Sequence, residues 1–249
     1  TVNGNEDVDL TRSSAVVGNN SAANLTSVNA SGVSGTFAAT LVAGIGANAN
    51  AGGNNAESAA TFTYTGASGV DELTINNQNF DVNNDGNQSN DPTLTLDIGT
   101  GDGADAVTLG QVGTGNGDAV LNLSLGAGND TLTSSGITLS DDDHTVDFGA
   151  GTDTVNSTSG AVDLRNAEVS GLENVVVDGS AVNIAADDLR PNGSISNDIT
   201  VSEFTGDFFI TATQNNEDID LTSSDFDNVT VQGGVADLQG NVGNNELTG

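Results

Sequence analysis

The chain has 249 residues, and its 35 acidic residues against 3 basic ones give a formal net charge of −32. Nucleic acids and anionic membrane surfaces are bound mainly through Lys and Arg, so this charge excludes both as partners. The sequence has no Cys, a single His and no Gly-x-Ser-x-Gly motif, so we expect no enzymatic activity. No apolar run is long enough to insert into a membrane.

Short runs of alternating apolar and polar residues recur along the chain and predict an all-β fold with glycine turns. The clearest strands are predicted, in chain order, at 71–75, 94–98, 119–125, 145–148, 173–177, 207–210 and 228–231. We expect a β-rich N-terminal region over residues 1–92 and a β-solenoid or β-roll-like C-terminal region over residues 93–249. A β-sandwich is the alternative fold.

The first region contains a segment, residues 10–56, that has no acidic residue. Copies of a chain with this net charge repel one another, and contact between them is least unfavourable where no acid lies. The segment is therefore predicted to contact neighbouring subunits.

A candidate calcium loop follows and reads Asp81-Val-Asn83-Asn-Asp85-Gly. Asp81, Asn83 and Asp85 match the first three ligand positions of an EF-type loop. The closing position holds Pro92 where such loops have Glu, so an ordinary Asn/Asp turn fits equally well.

The central part of the chain repeats the pattern Gly-x-Gly-x-Asp-x-apolar. It occurs at residues 101–107, 126–132 and 149–155, and a copy with one inserted residue lies at 113–120. Glycine allows a sharp turn with positive φ that aims carbonyl oxygens at a common space, and the Asp adds a carboxylate there. Calcium takes about six to eight such oxygens, so stacked copies of the turn are suited to bind it.

This pattern resembles the Gly- and Asp-rich calcium-binding repeat of RTX proteins over roughly residues 97–155. Its Gly- and Val-rich surroundings are similar to those of RTX-containing bacterial S-layer proteins. The resemblance implies export from the cell and folding outside it on meeting calcium. The calcium ligands that it implies are the carboxylates of Asp105, Asp130 and Asp153 and turn carbonyls around Gly101, Gly126 and Gly149.

The spacing of the copies is wider than the step of about nine residues that is usual in RTX repeats, because Asp105, Asp130 and Asp153 are 25 and 23 residues apart. We therefore predict a coil of about 24 residues with two corners. Such a coil stacks these three residues on one edge and Asp118 and Asp142 on the other. Acidic hairpin tips of a β-sandwich are the alternative.

The sequence contains two further patterns, an internal repeat and an acidic run that ends in the single His. The segment 172–184 is repeated at 226–238, each copy reading as strand, glycine turn and strand, which fits either stacked coils or a pair of hairpins. The run Asp141-Asp-Asp-His144 holds the single His, which is too few nitrogen ligands for a typical zinc site, and it is predicted to be a solvated acidic turn.

These patterns predict a calcium-dependent structural protein outside the cell, at the cell surface or in the matrix. We expect it to polymerise with copies of itself into an S-layer lattice or a fibre, with calcium binding to the folded state as the driving force. Cell-surface polysaccharide is a further expected partner. The alternatives are a calcium-stiffened segment of a large secreted adhesin and a halophilic surface protein held together by salt.

Overall fold

The computed structural model describes residues 3–4, 8–9, 27–43, 60–77, 94–110, 119–139, 143–177, 181–185, 200–202, 208–211, 217–220, 229–232, 235–239 and 245–247. Every regular element within these residues is a β-strand, so the all-β prediction is confirmed. No helix in these ranges is long and apolar enough to cross a membrane.

Twenty-four short strands make up the regular structure of the described residues. In chain order they are β1 (Asn3–Gly4), β2 (Val8–Asp9), β3 (Ser27–Asn29), β4 (Gly32–Val33), β5 (Phe37–Ala43), β6 (Ala60–Thr65), β7 (Asp71–Asn77), β8 (Leu94–Gly99), β9 (Ala106–Leu109), β10 (Ala119–Ser124), β11 (Thr131–Ser134), β12 (Ile137–Thr138), β13 (His144–Asp147), β14 (Thr154–Ser157), β15 (Val162–Asp163), β16 (Ala167–Ser170), β17 (Asn174–Val177), β18 (Val182–Ala185), β19 (Thr200–Ser202), β20 (Phe208–Thr211), β21 (Glu217–Asp220), β22 (Val229–Gln232), β23 (Val235–Gln239) and β24 (Asn245–Leu247). Each of the seven predicted strands overlaps one of these within one or two residues at each end.

Three sheets hold most of the strands. Sheet 1 has the order β16-β13-β10-β8-β6-β3, sheet 2 the order β19-β17-β14-β11-β9-β7-β5-β2, and sheet 3 the order β12-β15-β18-β20-β22-β24. Two further pairs are β1 with β4 and β21 with β23. All of these pairings are parallel.

From β5 to β11 the chain alternates between sheets 2 and 1, and from β10 to β18 it visits sheets 1, 2 and 3 in turn, returning to each sheet one strand further along. In sheet 1, Leu94 lies beside Ala119 and Asn122 lies beside Thr145, so the members of each pair are one repeat apart in the sequence. The predicted repeat of about 24 residues is therefore the sequence distance between neighbouring strands in this part of the chain.

The space between the sheets is filled by every second residue of each strand, because side chains alternate between the two faces. In β14, Val155 and Ser157 are buried while Thr154 and Asn156 are partly exposed. One continuous cluster of buried side chains, mostly Leu, Val and Ile, runs from Ala30 to Ile210. Parallel pairing stacks equivalent residues on one another, so apolar residues of one repeat lie on apolar residues of the next.

Parallel pairing takes the place of the hairpins that the β-sandwich alternative requires. β17 and β18 follow one another in the chain but lie in sheets 2 and 3, where β18 pairs with β15 and β20. The segments 172–184 and 226–238 also differ in position, since β17 of the first lies in sheet 2 and β22 of the second in sheet 3. Alternating apolar residues suit the inner face of any of these sheets, so their likeness in sequence does not determine the sheet.

Each repeat between residues 119 and 185 has three strands, one in each sheet, where a coil with two corners would have two. The additional bend follows β11, where Gly136 has a φ of 151° and the short strand β12 begins directly after it. Glycine tolerates this backbone conformation, which other residues rarely adopt.

The predicted division at residue 92 falls between strands that share sheets, because β6 pairs with β8 and β7 pairs with β9. Within the acid-free segment 10–56, the structure describes residues 27–43, and the longest strand there, β5, belongs to sheet 2. The contact of this segment with other subunits stays a prediction.

A row of buried carboxylates as the candidate functional site

Five acidic side chains form a row at the corner where the chain passes from sheet 1 to sheet 2. Each stands at, or directly before, the first residue of a strand of sheet 2, namely β7, β9, β11, β14 and β17. Its members, called here the carboxylate row, are Asp71, Asp105, Asp130, Asp153 and Glu173. The four Asp residues are buried, with at most 2% of their surface exposed. The predicted stacking of Asp105, Asp130 and Asp153 is therefore present.

From Asp105 onward, each carboxylate accepts a hydrogen bond from the backbone N–H of the preceding member of the row. The N···O distances are 2.8 Å from Asp71 to Asp105, 2.8 Å from Asp105 to Asp130, 2.7 Å from Asp130 to Asp153 and 2.8 Å from Asp153 to Glu173. A buried backbone N–H at a corner must find an acceptor, and an unpaired one is costly. The carboxylate of the next repeat provides that acceptor.

The second oxygen of each buried Asp has no hydrogen-bond partner. This holds for Oδ2 of Asp71, Asp105, Asp130 and Asp153, all of which are shielded from solvent. Leaving such an acceptor unpaired costs on the order of 1–3 kcal/mol, and more when it is charged. The row therefore collects unsatisfied negative charge inside the protein, which a proton or a cation would relieve.

Burial raises the pKa of all four Asp carboxyl groups, because loss of hydration disfavours the charged form. Repulsion from another carboxylate raises each pKa further. The pKa of Asp71 and that of Asp130 both rise to about 6, and Asp105 is a repelling neighbour of both. These two members of the row therefore change charge nearer to neutral pH than an exposed Asp does.

Aromatic side chains end the row on the side of the N-terminus. The Tyr64 hydroxyl donates a hydrogen bond to Asp71 Oδ1 at 2.8 Å, and burial raises the pKa of this hydroxyl so that it stays protonated. Phe37 is the sheet partner of Asp71, and its ring centroid lies 5.8 Å from that of Tyr64. The position beside Asp71 in the adjacent strand β5 is therefore occupied by the apolar Phe37, and the row of acids begins at Asp71.

The corner glycines have the positive φ that the motif predicts. The angle is 101° at Gly101, 94° at Gly126 and 92° at Gly149. The carbonyl oxygens of Gly101 and Gly126 accept hydrogen bonds from the backbone N–H groups of Ala127 and Ala150, at 3.0 and 2.8 Å. Each of these carbonyls keeps a second lone pair. Their part in calcium binding, with that of the Gly149 carbonyl, stays a prediction.

The remaining predicted ligands, Asp118, Asp142, Asp81, Asn83 and Asp85, lie outside the described residues.

The prediction that His144 lies in a solvated acidic turn is wrong. His144 is the first residue of β13, is 1% exposed, and accepts the backbone N–H of Leu121 through Nδ1 at 3.0 Å. Its neighbours Asp143 and Thr145 are exposed, as alternation along a strand requires. The strand therefore begins one residue earlier than the sequence predicted.

The outer members of the row, Asp71 and Glu173, were not predicted. The sequences Gly69-Val-Asp71-Glu-Leu73 and Gly171-Leu-Glu173-Asn-Val175 keep only the second half of the motif, Gly-x-acid-x-apolar. This shorter pattern is the signal that would have found both residues. The full motif excludes them because it requires a second glycine two positions before the first.

The donors of the row are oxygen atoms only, which suit a hard cation such as calcium better than zinc or copper. Within the described residues, no three acidic or histidine side chains converge where they could hold a metal ion. A cation at the row would be held by the unpaired Oδ2 atoms of neighbouring members, and its other ligands would be backbone carbonyls or water. The unpaired oxygens thus fit the predicted calcium, although they do not by themselves complete its coordination.

A second acidic feature is a groove of about 390 Å³ on the outer face of sheet 1, lined by Asp97, Asn122, Thr145, Asp147 and Glu168 among others. Its three acids are exposed, so water and salt screen their charges. It therefore has none of the buried, unpaired oxygens that distinguish the carboxylate row.

Replacing Gly126 with Ala should destabilise the protein by at least about 2 kcal/mol. The new Cβ would lie 1.9 Å from the Gly101 carbonyl oxygen, at a residue whose φ is positive. The matched control is Gly99→Ala, whose Cβ would have no atom within 4 Å and which should stay within about 0.5 kcal/mol of the wild type. Denaturant unfolding at constant calcium measures both, and equal stabilities would contradict the close stacking of the corners.

In the presence of a chelator, the contribution of the row to stability should fall as the pH rises. The folded-state pKa of Asp71 and Asp130, about 6, lies above the ordinary value of 3.8, so the folded protein binds these protons more tightly than the unfolded chain. The stabilisation is complete below about pH 3.8 and is lost as the pH rises through about 6. The β-sheet signal in circular dichroism, recorded in chelator at a series of pH values and constant ionic strength, measures this dependence as the fraction of folded chain.

The variant Asp130→Asn should show a weaker pH dependence, because it removes one of these two groups. Asp97→Asn removes the same charge from the exposed face of sheet 1 and should leave the dependence as in the wild type. Identical pH profiles for the two variants would contradict the elevated pKa in the row.

Comparison of the chain with known protein families, with curated proteins and with solved structures found no match in any of the three. The chemistry of the carboxylate row is therefore the basis for the function proposed next.

Proposed function

We propose that this chain is an extracellular structural protein that folds as a β-solenoid around a calcium-binding carboxylate row and assembles with copies of itself. The observation that carries the proposal is the set of four consecutive buried Asp carboxylates, each with one oxygen hydrogen-bonded, to the Tyr64 hydroxyl in Asp71 and to a backbone N–H in the other three, and the other oxygen unpaired.

The solenoid is inferred from the path of the chain. Parallel neighbours that are one repeat apart in the sequence, in two sheets and from β12 in three sheets visited in turn, are what successive coils produce when each stacks on the one before. A hairpin fold would instead pair consecutive strands in antiparallel fashion. In a solenoid the acid of each corner lies beside the acid of the next, so a motif spread along the sequence becomes a continuous row.

The electrostatics of this row require that protons or a cation offset its negative charge. Neighbouring strands are about 4.8 Å apart, and two unit charges at that distance repel by about 3–4 kcal/mol at an effective dielectric constant of about 20. Four such neighbouring pairs would together approach the whole stability of a typical domain, about 5–15 kcal/mol. A fully ionised row without counter-charge is therefore not compatible with a stable fold.

Calcium is the counter-ion that this donor set and the outside of a cell favour. Hard oxygen ligands select calcium or magnesium, and calcium accepts the irregular geometry that carboxylates and backbone carbonyls offer. Extracellular calcium modules bind with dissociation constants of about 10⁻⁴–10⁻³ M. Binding to the folded state alone would stabilise it by mass action, so the chain would stay expanded at low calcium and fold where calcium is abundant.

Self-assembly follows from the same neutralisation of charge. With a net charge of −32, free copies repel one another, and calcium that binds on folding removes part of this repulsion. A repetitive, rigid body of stacked strands is suited to an S-layer lattice or a fibre.

Calcium titration from a chelator should raise the β-sheet signal in circular dichroism, and particle size in light scattering should rise with it. Replacing calcium with molar sodium or potassium should not reproduce the change, because a monovalent ion does not bridge two carboxylates. A β-sheet signal that ignores calcium, or that molar salt restores in full, would overturn the calcium mechanism. Folding without any growth in particle size would instead assign the chain to a monomeric segment of an adhesin.

Asp130→Asn should raise the calcium concentration at the midpoint of folding several-fold, since Asp130 lies between two neighbours in the row. Asn keeps a carbonyl oxygen that can accept the Asp105 N–H, so the corner is retained while one charge is lost. Asp97→Asn, on the exposed face, should leave the midpoint within about twofold of the wild type. Equal calcium midpoints for the two variants would contradict calcium binding at the carboxylate row.

A further inference from the structure

The outward-facing side of sheet 2 carries two straight rows of small side chains. In the six strands from β5 to β17, the register places one row at the second outward position and the other two residues earlier. At the two ends of the sheet, β2 pairs Asp9 with Ala38 and β19 pairs Thr200 with Asn174. The first row is Thr40, Thr74, Thr108, Thr133, Asn156 and Val176, and the second is Ala38, Glu72, Ala106, Thr131, Thr154 and Asn174. These twelve residues are called here the threonine face.

The threonine face is almost free of charge. Glu72 is the one ionisable residue among the twelve, in a chain with 35 acids. Except for Glu72 and Ala106, its side chains are only partly exposed. Threonine is branched at Cβ and holds a restricted χ1, so the face would lose little conformational entropy on contact with a partner.

The outward face of sheet 1 has the opposite character. Its corresponding positions hold the exposed acids Asp97, Asp147 and Glu168 among polar residues. A second copy of the chain that approached this face would meet its own sign of charge. Among the strands of sheets 1 and 2 whose side chains the structure describes, the exposed acids lie on sheet 1 except for Glu72, so sheet 2 presents the less charged of these two outer faces.

We propose that the threonine face is the surface through which a second copy of this chain docks, with the two faces packed against each other. The proposal rests on the self-assembly in the proposed function and names the surface that performs it. A second copy is the occupant that the charge distribution selects, because a net charge of −32 on each chain leaves few surfaces on which two copies meet without repulsion. The face also includes Ala38 and Thr40, which belong to the acid-free segment 10–56.

The size of the face sets the strength of a single contact. Six strands about 4.8 Å apart, with about four residues of about 3.3 Å each, cover on the order of 400 Å² per copy. Two such faces bury on the order of 800 Å², which lies below the size of a standard stable interface. One contact is therefore weak, and assembly depends on concentration and on repetition of the contact in a lattice or fibre.

A single cysteine tests the proposal directly, because the chain has no Cys of its own. Thr108 lies near the centre of its row, where a two-fold contact brings a residue close to its counterpart. In the folded full chain at saturating calcium, with mild oxidant, Thr108→Cys should form disulfide-linked dimers at least about tenfold faster than the control Thr145→Cys. Thr145 is an exposed threonine of sheet 1, so the control has the same chemistry on the acidic face.

A charge placed on the face provides a second measurement that does not depend on where the two-fold axis passes. Thr133→Asp should reduce the particle growth seen in light scattering several-fold, whereas Thr145→Asp adds the same charge to sheet 1 and should leave it near the wild-type value. The proposal is overturned when Thr108→Cys links no faster than Thr145→Cys and the two Asp variants assemble alike. A label on Thr108→Cys that becomes protected only when cell-wall polysaccharide is added would also overturn it and assign the face to that partner.

Circular dichroism of the same samples separates this proposal from the one on which it rests. If the β-sheet signal follows calcium but Thr108→Cys and Thr145→Cys form disulfide-linked dimers at equal rates, the docking surface is wrong and the calcium mechanism stands. If Thr108→Cys forms disulfide-linked dimers faster than Thr145→Cys but the β-sheet signal does not depend on calcium, the docking surface stands and the calcium mechanism is wrong.

Discussion

A carboxylate that accepts the backbone N–H of the repeat before it is the interaction on which this structure depends. Along the strands, main-chain groups of neighbouring repeats satisfy one another, but at the corner between sheets 1 and 2 the N–H of each Asp has only the next side chain as acceptor. An acidic side chain of suitable length is therefore needed once per repeat. The carboxylate row is the consequence of stacking these corners.

The same interaction creates the principal energetic problem of the fold. It lines up like charges at the strand spacing, in a place from which water is removed, and leaves one oxygen of each Asp unpaired. Raised pKa values for the four Asp carboxyl groups are one expression of this cost. Stability is thereby coupled to what occupies the row, whether protons or cations, and the response of the protein to its surroundings originates in the geometry of one corner.

Many features of the fold were predictable because they depend on residues that are close together in the sequence. Alternating apolar residues identified β8 and β10, and the glycines of the repeated motif identified corners such as the one at Gly126. The near-regular spacing of Asp105, Asp130 and Asp153 also predicted that they stack. Two members of the row were missed, because Asp71 and Glu173 lie 34 and 20 residues from their neighbours and keep only half of the motif.

The sequence by itself determined the strands, the glycine corners and the approximate length of the repeat, since alternation and backbone freedom are local properties. Only the tertiary structure decided that the strands pair in parallel, that His144 points into the core, and that one oxygen of each buried Asp lacks a partner. It also decided that mostly uncharged residues from six distant strands line up on one face of sheet 2. These properties depend on the register between strands far apart in the chain, and the free energy of that register comes from the shared core, which no single segment contains.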